Sequence, residues 1–407
     1  MTTISRLRLT LLLVLGITLF AADGVVAQPT PIDLGTLGGS FSYPSGLNNR
    51  GEVVGNSTTA TGTFNIRKAF LWTGTNGMVD LGTLGGAIST AADVNNRGQV
   101  VGTSLTRLPL PGTVGRHAFL WTTHDGMVDL HAPLPGGLGN SSAGAINDRG
   151  RVVGIYDTYL GVRAFSWTAT EGMIDLGTLG GRTAVPSAVS NTDQVVGSSS
   201  LINMPDPFGI QPRHAFSWTP TGGMVDLGTL GGPRSGAEAV NEKGDVVGWA
   251  EIDESLIYHA FLWTSTQGMV DLGTLGGTSS YAYDVNAAGT VVGFSYTTGD
   301  SEVHAFRWTA AEGMVDLGTL GGTNSFAYAV NDRGQVVGRS QTAESVAGHA
   351  FVWTASTGMV DLAPLTGHAS SDAFLVNNRG QVVGISYSES ENIDARATMW
   401  LASAQNR

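Results

Sequence analysis

Apolar and polar residues alternate along this chain in short runs, and the runs return in the same order about every 45 residues. The fullest copy occupies residues 314–353: MVDLGTLGGTNSFAYAVNDRGQVVGRS, a variable stretch, then HAFVW. Each copy predicts four short strands, called a to d. Strand a is the small-residue run 327–331, ending in Asn331. A tight turn at 331–334 follows, where Asn tolerates turn conformations and Gly supplies a positive φ. Strand b is 335–338, β-branched at its centre. After a variable loop comes strand c, 349–353, and after a turn ending in Gly358 comes strand d, 359–362. A glycine-rich link, Gly-Thr-Leu-Gly-Gly at 318–322, leads into the next copy. No copy carries a helical stripe of useful length, so alternation and turn spacing both predict an all-β chain.

The period is exact enough to count. An Asp recurs at 33, 80, 129, 175, 226, 271, 316 and 361, in steps of 47, 49, 46, 51, 45, 45 and 45 residues. Each copy closes on a Trp, at 72, 121, 167, 218, 263, 308, 353 and 400. A period near 45 with several strands per copy marks a propeller or an array. In strand c, His117, Phe119 and Trp121 share one face, and Ala118 and Leu120 the other. The position between Phe and Trp drifts through Leu71, Leu120, Ser166, Ser217, Leu262, Arg307, Val352 and Met399. That drift predicts a packed Phe/Trp face and a loose opposite face. Burying each aromatic is worth at most about 4–6 kcal/mol. Asp80, Trp72, Asp316 and Trp353 are therefore read as structural residues of the repeat.

The first copy begins at strand d, Ile32-Asp33-Leu34, and the last stops at strand c, Met399-Trp400. The two incomplete copies complement each other. The expected architecture is a closed eight-bladed β-propeller of four-stranded antiparallel blades, with the N-terminal strand completing the last blade and no free edge left. An open or superhelical β-array is the alternative, but it would want dissimilar polar caps. The motif resembles the HAF-repeat family of probable extracellular repeat proteins. His-Ala-Phe stands at His117, His214, His259, His304 and His349, and Lys68, Arg163 and Arg396 replace the His in three copies. The resemblance spans nearly all of the chain past residue 27. It implies export and a repeat fold, and it brings no reaction with it.

Residues 1–27 read as a secretory signal peptide. Arg6 and Arg8 precede an apolar run from Leu9 to Phe20, and Val25-Val26-Ala27 supplies a cleavage site. An apolar run of about 12 residues is short for a membrane anchor. No later segment is apolar enough to span, so residues 28–407 are expected to form one exported domain, extracellular or periplasmic. With no cysteine, such a domain has no disulfide, thiol catalyst or thiolate metal site. Net charge is −12, and −13 without Arg6, Arg8 and Asp23. An acidic surface repels phosphate backbones, so nucleic acid is not an expected partner.

The repeated polar residues suit structure better than chemistry. One Asp per copy, with no Asp-x-Asp-x-Asp run, is a poor calcium site. It suits a turn that accepts N–H groups from the glycine-rich link. Asn48, Asn95, Asn147, Asn191, Asn241, Asn286, Asn331 and Asn377 read as turn residues. A row of His on separate blades cannot share one ion, so a hydrogen-bonding or cation–π role is expected. The glycine-rich link precedes no helix and has no Gly-Lys-Ser/Thr, so it is no phosphate loop. No Gly-x-Ser-x-Gly elbow occurs, and the Ala-x-Asp-x-x-Thr-Gly partner of propeller quinoprotein tryptophans is missing. No cofactor or metal is expected.

Function is then expected where copies differ, chiefly in the b–c loops. Those of copies 2 and 4 are long and apolar, the second carrying Leu201, Ile202, Met204, Phe208 and Ile210. Those of copies 5 to 8 are acidic, with Glu251, Asp253, Glu254, Asp300, Glu302, Glu389 and Glu391. These loops are the candidate binding residues of a monomeric, secreted binding or scaffold module whose partner is a protein or a glycan. Two other readings stand beside it. One is an extracellular glycan hydrolase or lyase, which needs paired acids roughly 5–9.5 Å apart near the axis. The other is a purely structural surface protein.

Overall fold

The computed structural model describes residues 28–60, 66–107, 114–132, 134, 136–201, 212–344, 348–388 and 394–401. Among these residues there is no helix, and thirty-two strands make eight four-stranded antiparallel sheets. One parallel bridge, Val303 to Asn324, ties the sixth sheet to the seventh. In the seventh sheet the strands are Gly321–Val330, Val336–Thr342, His349–Thr354 and Gly358–Leu362. Strand a therefore starts earlier than the sequence suggested, inside the glycine-rich link.

Both faces of each sheet are packed. Phe351 sits with Val336, Ala327 and Val330 of its own sheet and with Val292, Ala305 and Leu317 of the preceding one. The Phe of strand c is fully buried in seven copies, and so is the Ala before it. The expectation of a loose face fails for this reason: one sheet's Ala/Val face is the surface on which the next sheet's Phe and Trp rest. Leu71, Ser166, Ser217, Val352 and Met399 are buried, and Leu120, Leu262 and Arg307 are half-buried. Arg307 is tolerated because its guanidinium lies over the Trp353 ring of the next sheet, 5.6 Å from the centroid.

Polar side chains stitch one sheet to the next. Ser89 Oγ accepts the Ala69 N–H at 3.0 Å, and Ser325 Oγ accepts that of Ala305 at 2.8 Å. At the a–b turns each Asn folds its own turn and reaches the next. Asn331 Oδ1 accepts the N–H groups of Arg333 and Gln335, both at 3.0 Å, while its Nδ2 donates to the Asn377 carbonyl at 2.9 Å. Asn377 does the same to the Asn48 carbonyl at 2.9 Å, linking the last copy to the first. Asn191 lies in its turn as expected, but not at the position of this row. Ser190 occupies the position: it receives the Asn147 Nδ2 bond at 2.8 Å on its carbonyl, and its hydroxyl is too short to reach onward. Asn191 lies one residue later, where its N–H donates to Glu242 Oε1 at 3.2 Å.

The strand Pro31–Asp33 pairs antiparallel with Arg396–Leu401, in the register Pro31 to Trp400 and Asp33 to Thr398. This is the juncture expected of the two incomplete copies. Leu34 is buried beyond it, against Val53 and Phe70 of the first sheet.

Candidate functional site

Among the described residues, the loop residues singled out from the sequence do not converge. Ile202, Met204, Phe208, Ile210, Glu389 and Glu391 lie outside the described residues. Leu201 is half-buried, its N–H donating to the Pro212 carbonyl at 3.0 Å. Glu251 departs from expectation. It is the last residue of a strand, only 2 % exposed, and it accepts Arg234 Nε at 2.9 Å. Burial with a charged partner makes it a fixture of the sheet rather than a free loop acid. Asp253 and Glu254 are exposed; Asp253 accepts the Ser255 N–H at 2.8 Å. Asp300 accepts the Thr278 N–H at 2.7 Å, and Glu302 lies 3.7 Å from His304.

A different group of residues does converge, on strand a. In every sheet the a–b pairing slips by one residue just before the turn, for example between Ala327 and Ala329 and between Ala282 and Asp284. The slip leaves one residue per sheet unpaired, three before the turn position. Such a bulge breaks the alternation of side chains and re-aims one of them. The eight bulged residues are Ser45, Ala92, Gly144, Ser187, Glu238, Tyr283, Tyr328 and Phe374. Four are small, and the four bulky ones are consecutive.

The bulky ones meet across the sheets. Tyr283 and Tyr328 have centroids 5.6 Å apart, Tyr328 and Phe374 5.8 Å, and Phe374 and Tyr43 of the first sheet 5.6 Å. Tyr281 extends the row in the other direction, 4.7 Å from Tyr283 and 6.3 Å from Trp249. The result is a continuous arc of half-buried rings over sheets five, six, seven, eight and one. Arg213 lies over Trp249 at 5.8 Å and Arg67 over Phe41 at 4.3 Å, so a cation sits at each end.

Four carboxylates stand on the same strands, and they divide in two. Asp93 accepts the N–H of Val94 at 2.8 Å and of Ile146 in the next sheet at 2.9 Å. Asp284 repeats this with Val285 and Val330. Burial pushes both carboxyls up, against the pull of these N–H groups. They hold neighbouring strands together. Glu238 and Asp372 flank the aromatic arc instead. Burial pushes Glu238 up, partly offset by hydrogen bonds from Tyr281 and Trp249. Burial pushes Asp372 up to about 6, while Arg339, 3.4 Å away, pulls it down. The sequence contained the signal for this site: at the bulge position the copies read Ser, Ala, Gly, Ser, Glu, Tyr, Tyr, Phe. The signal is faint because a bulge is invisible in the sequence, and without it the four bulky residues are interior positions of an ordinary strand.

Just past the bulges, at the same end of strand a, the turns of all eight sheets line a cavity of about 380 Å³, walled by Asn48, Asn95, Asn147, Asn241, Asn286 and their neighbours. Its walls are built mainly of the repeat's own turn residues.

The His row is explained by its partners. His117, His214, His259, His304 and His349 each place Nδ1 2.6–3.0 Å from the strand-d Asp of the same sheet. Arg163 and Arg396 replace the pair with Arg–Asp contacts of 2.7 and 2.8 Å. Among the described residues no group of three His, Asp or Glu is placed to hold a metal ion. The bond to Asp271 raises His259, and that to Asp361 raises His349, with burial opposing in both. Burial pushes Asp271 up, but the His259 and Gly273 bonds carry it below the usual range. A raised His stabilises fully below its unfolded value near 6.5 and loses this as pH rises through its folded value. A lowered Asp stabilises above its unfolded value near 3.9 and loses this as pH falls through its folded value. The pairs are partly exposed, so each contributes about 0.2–1 kcal/mol. The melting temperature is accordingly expected to be higher at pH 6 than at pH 8, and the double variant His259→Gln/His349→Gln to flatten that difference in thermal scans; an unchanged pH slope would contradict it.

No family model and no curated protein matches this chain. Solved structures do resemble it. Porphyromonas gingivalis dipeptidyl peptidase 4 is similar with a TM-score of 0.55 at 10% identity, over 87% of this chain and 56% of that one. The chain thus spans little more than half of the peptidase. The β-propeller domain of the Trilobed protease from Pyrococcus furiosus, described as having an open velcro topology, is similar with a TM-score of 0.50 at 11% identity, over 80% of this chain and 99% of that domain. At such identities the likeness speaks to fold alone, and the fold it identifies, with the four-stranded antiparallel sheets, is a β-propeller.

Proposed function

We propose that the chain is an exported, closed eight-bladed propeller that binds a glycan on its aromatic arc. The arc carries this reading. Tyr281, Tyr283, Tyr328, Phe374 and Tyr43 offer ring faces to the apolar faces of sugars, and Glu238 and Asp372 offer hydrogen-bond acceptors beside them. Closure is supported by the pairing of Pro31–Asp33 with Arg396–Leu401 and by the bond from Asn377 to Asn48. Export rests on the character of residues 1–27 and on the HAF-repeat resemblance. Among the described residues no helix is long and apolar enough to cross a membrane.

The test is calorimetry of residues 28–407 with cellohexaose, chitotetraose and xylohexaose. At least one is expected to bind, and Tyr283→Ala/Tyr328→Ala to weaken it about tenfold or more. Binding untouched by that double change would overturn the site. A hydrolytic reading has one observation in its favour: Asp372, pushed up to about 6, is a carboxyl able to hold a proton near neutral pH, as a general acid must. Release of reducing ends from the same oligosaccharides, abolished by Asp372→Asn, would favour it over simple binding.

A further inference from the structure

A second cavity lies between the second and third sheets. At the joint between sheets five and six, Trp249 and Tyr281 fill the gap above strand a; at the next joint Phe294 and Phe326 do so, 5.4 Å apart. The corresponding residues of sheets two and three are Thr103 and Ser142, placed by the same register: Thr103 opposite Thr90, as Trp249 is opposite Gly236 and Phe294 opposite Tyr281. Without the rings a cavity of about 340 Å³ remains, lined by Ile88, Thr90, Thr103, Leu105, Arg116 and Ser142.

Its chemistry is specific. Arg116 is exposed, and among the described residues nothing pairs with its guanidinium. Thr103 Oγ1 and Ser142 Oγ bond each other at 2.5 Å, which leaves one hydroxyl proton of the pair free to donate. Thr90 Oγ1 adds a second donor. Ile88 and Leu105 supply an apolar side wall. Among the described residues no carboxylate lines the cavity, although the protein as a whole is acidic. A guanidinium is a planar fork matched to a carboxylate, and hydroxyl donors beside an apolar wall suit a short aliphatic tail.

We propose that this cavity binds a small organic acid, a carboxylate carrying a short apolar chain. The assignment is independent of the aromatic arc. Calorimetry of the whole mature chain with hexanoate, hexanol and hexylammonium tests it. Hexanoate is expected to bind saturably and at least tenfold more tightly than either of the others. Arg116→Gln, a change at an exposed side chain, should erase that preference, and Ser142→Phe should block the cavity. Tyr283→Ala/Tyr328→Ala should leave hexanoate binding intact, which separates this site from the glycan site. Equal binding of hexanoate and hexylammonium, or a preference that survives Arg116→Gln, overturns the proposal.

Discussion

Deleting residues 29–37 is expected to lower stability by about 3–5 kcal/mol, in the range of losing a large core side chain together with its strand. The deletion removes the partner of Arg396–Leu401, the backbone bond from Leu34 to the Ala397 carbonyl at 3.0 Å, the Arg396–Asp33 contact at 2.8 Å, and a Leu side chain that is 3 % exposed. Burying that Leu alone is worth about 1.5–3 kcal/mol. The strand ending at Leu401 would also be left with an unpaired edge, which promotes association between molecules. Thermal unfolding and light scattering should show both effects, and a melting temperature within a degree of the parent would refute the role given to this strand.

Gly338→Ala should also destabilise the protein, for a different reason. The glycine after the paired valines faces the bulge of strand a, and a Cβ there would lie 1.9 Å from the Phe326 carbonyl oxygen and 2.9 Å from Phe351 Cε1. Neither can retreat: one is sheet backbone, the other a fully buried ring. Overpacking of this kind costs about 1–3 kcal/mol and more where backbone must move. Gly318→Ala is the contrasting case. Its φ is +72° and nothing lies within 4 Å of its Cβ position, so only the left-handed conformation is penalised, by about 1 kcal/mol. Denaturant midpoints for the two variants should rank in that order, and the reverse ranking would show that the bulge is not the constraint.

The two glycines show how far the repeat could be read. Both recur in the sequence. Only the fold separates one held by lack of space from one held by its φ. The Asp, Asn and His rows tell the same story. Their repetition argued for structure, and each has a local partner: Asp80 accepts the Gly82 N–H at 2.8 Å, and His259 meets Asp271 at 2.8 Å. Asn191 is in the turn, but Ser190-Asn191 offers two turn formers in a row, and only the register of strands Ala184–Val189 and Val195–Ser200 decides which one starts the turn.

The candidate site was less legible, because it depends on a broken rule. Period-two alternation predicts that residues two apart share a face. The bulge in strand a suspends this at one residue per sheet, so the face to which Tyr283 or Tyr328 belongs cannot be read by counting. Charge runs such as the acidic loops are visible in one dimension; yet Glu251, which is buried, is held by Arg234.

By itself the sequence determined the strand content, the period, the turn chemistry and the complementary ends, since each is a local preference or a repeated spacing. The tertiary structure alone decided which residues of different copies meet: Tyr328 with Phe374, 5.8 Å apart in neighbouring sheets, or Thr103 with Ser142 around an open space. Those meetings depend on how one sheet is set against the next at positions where the copies differ, and a contact made once leaves no periodic mark on the chain.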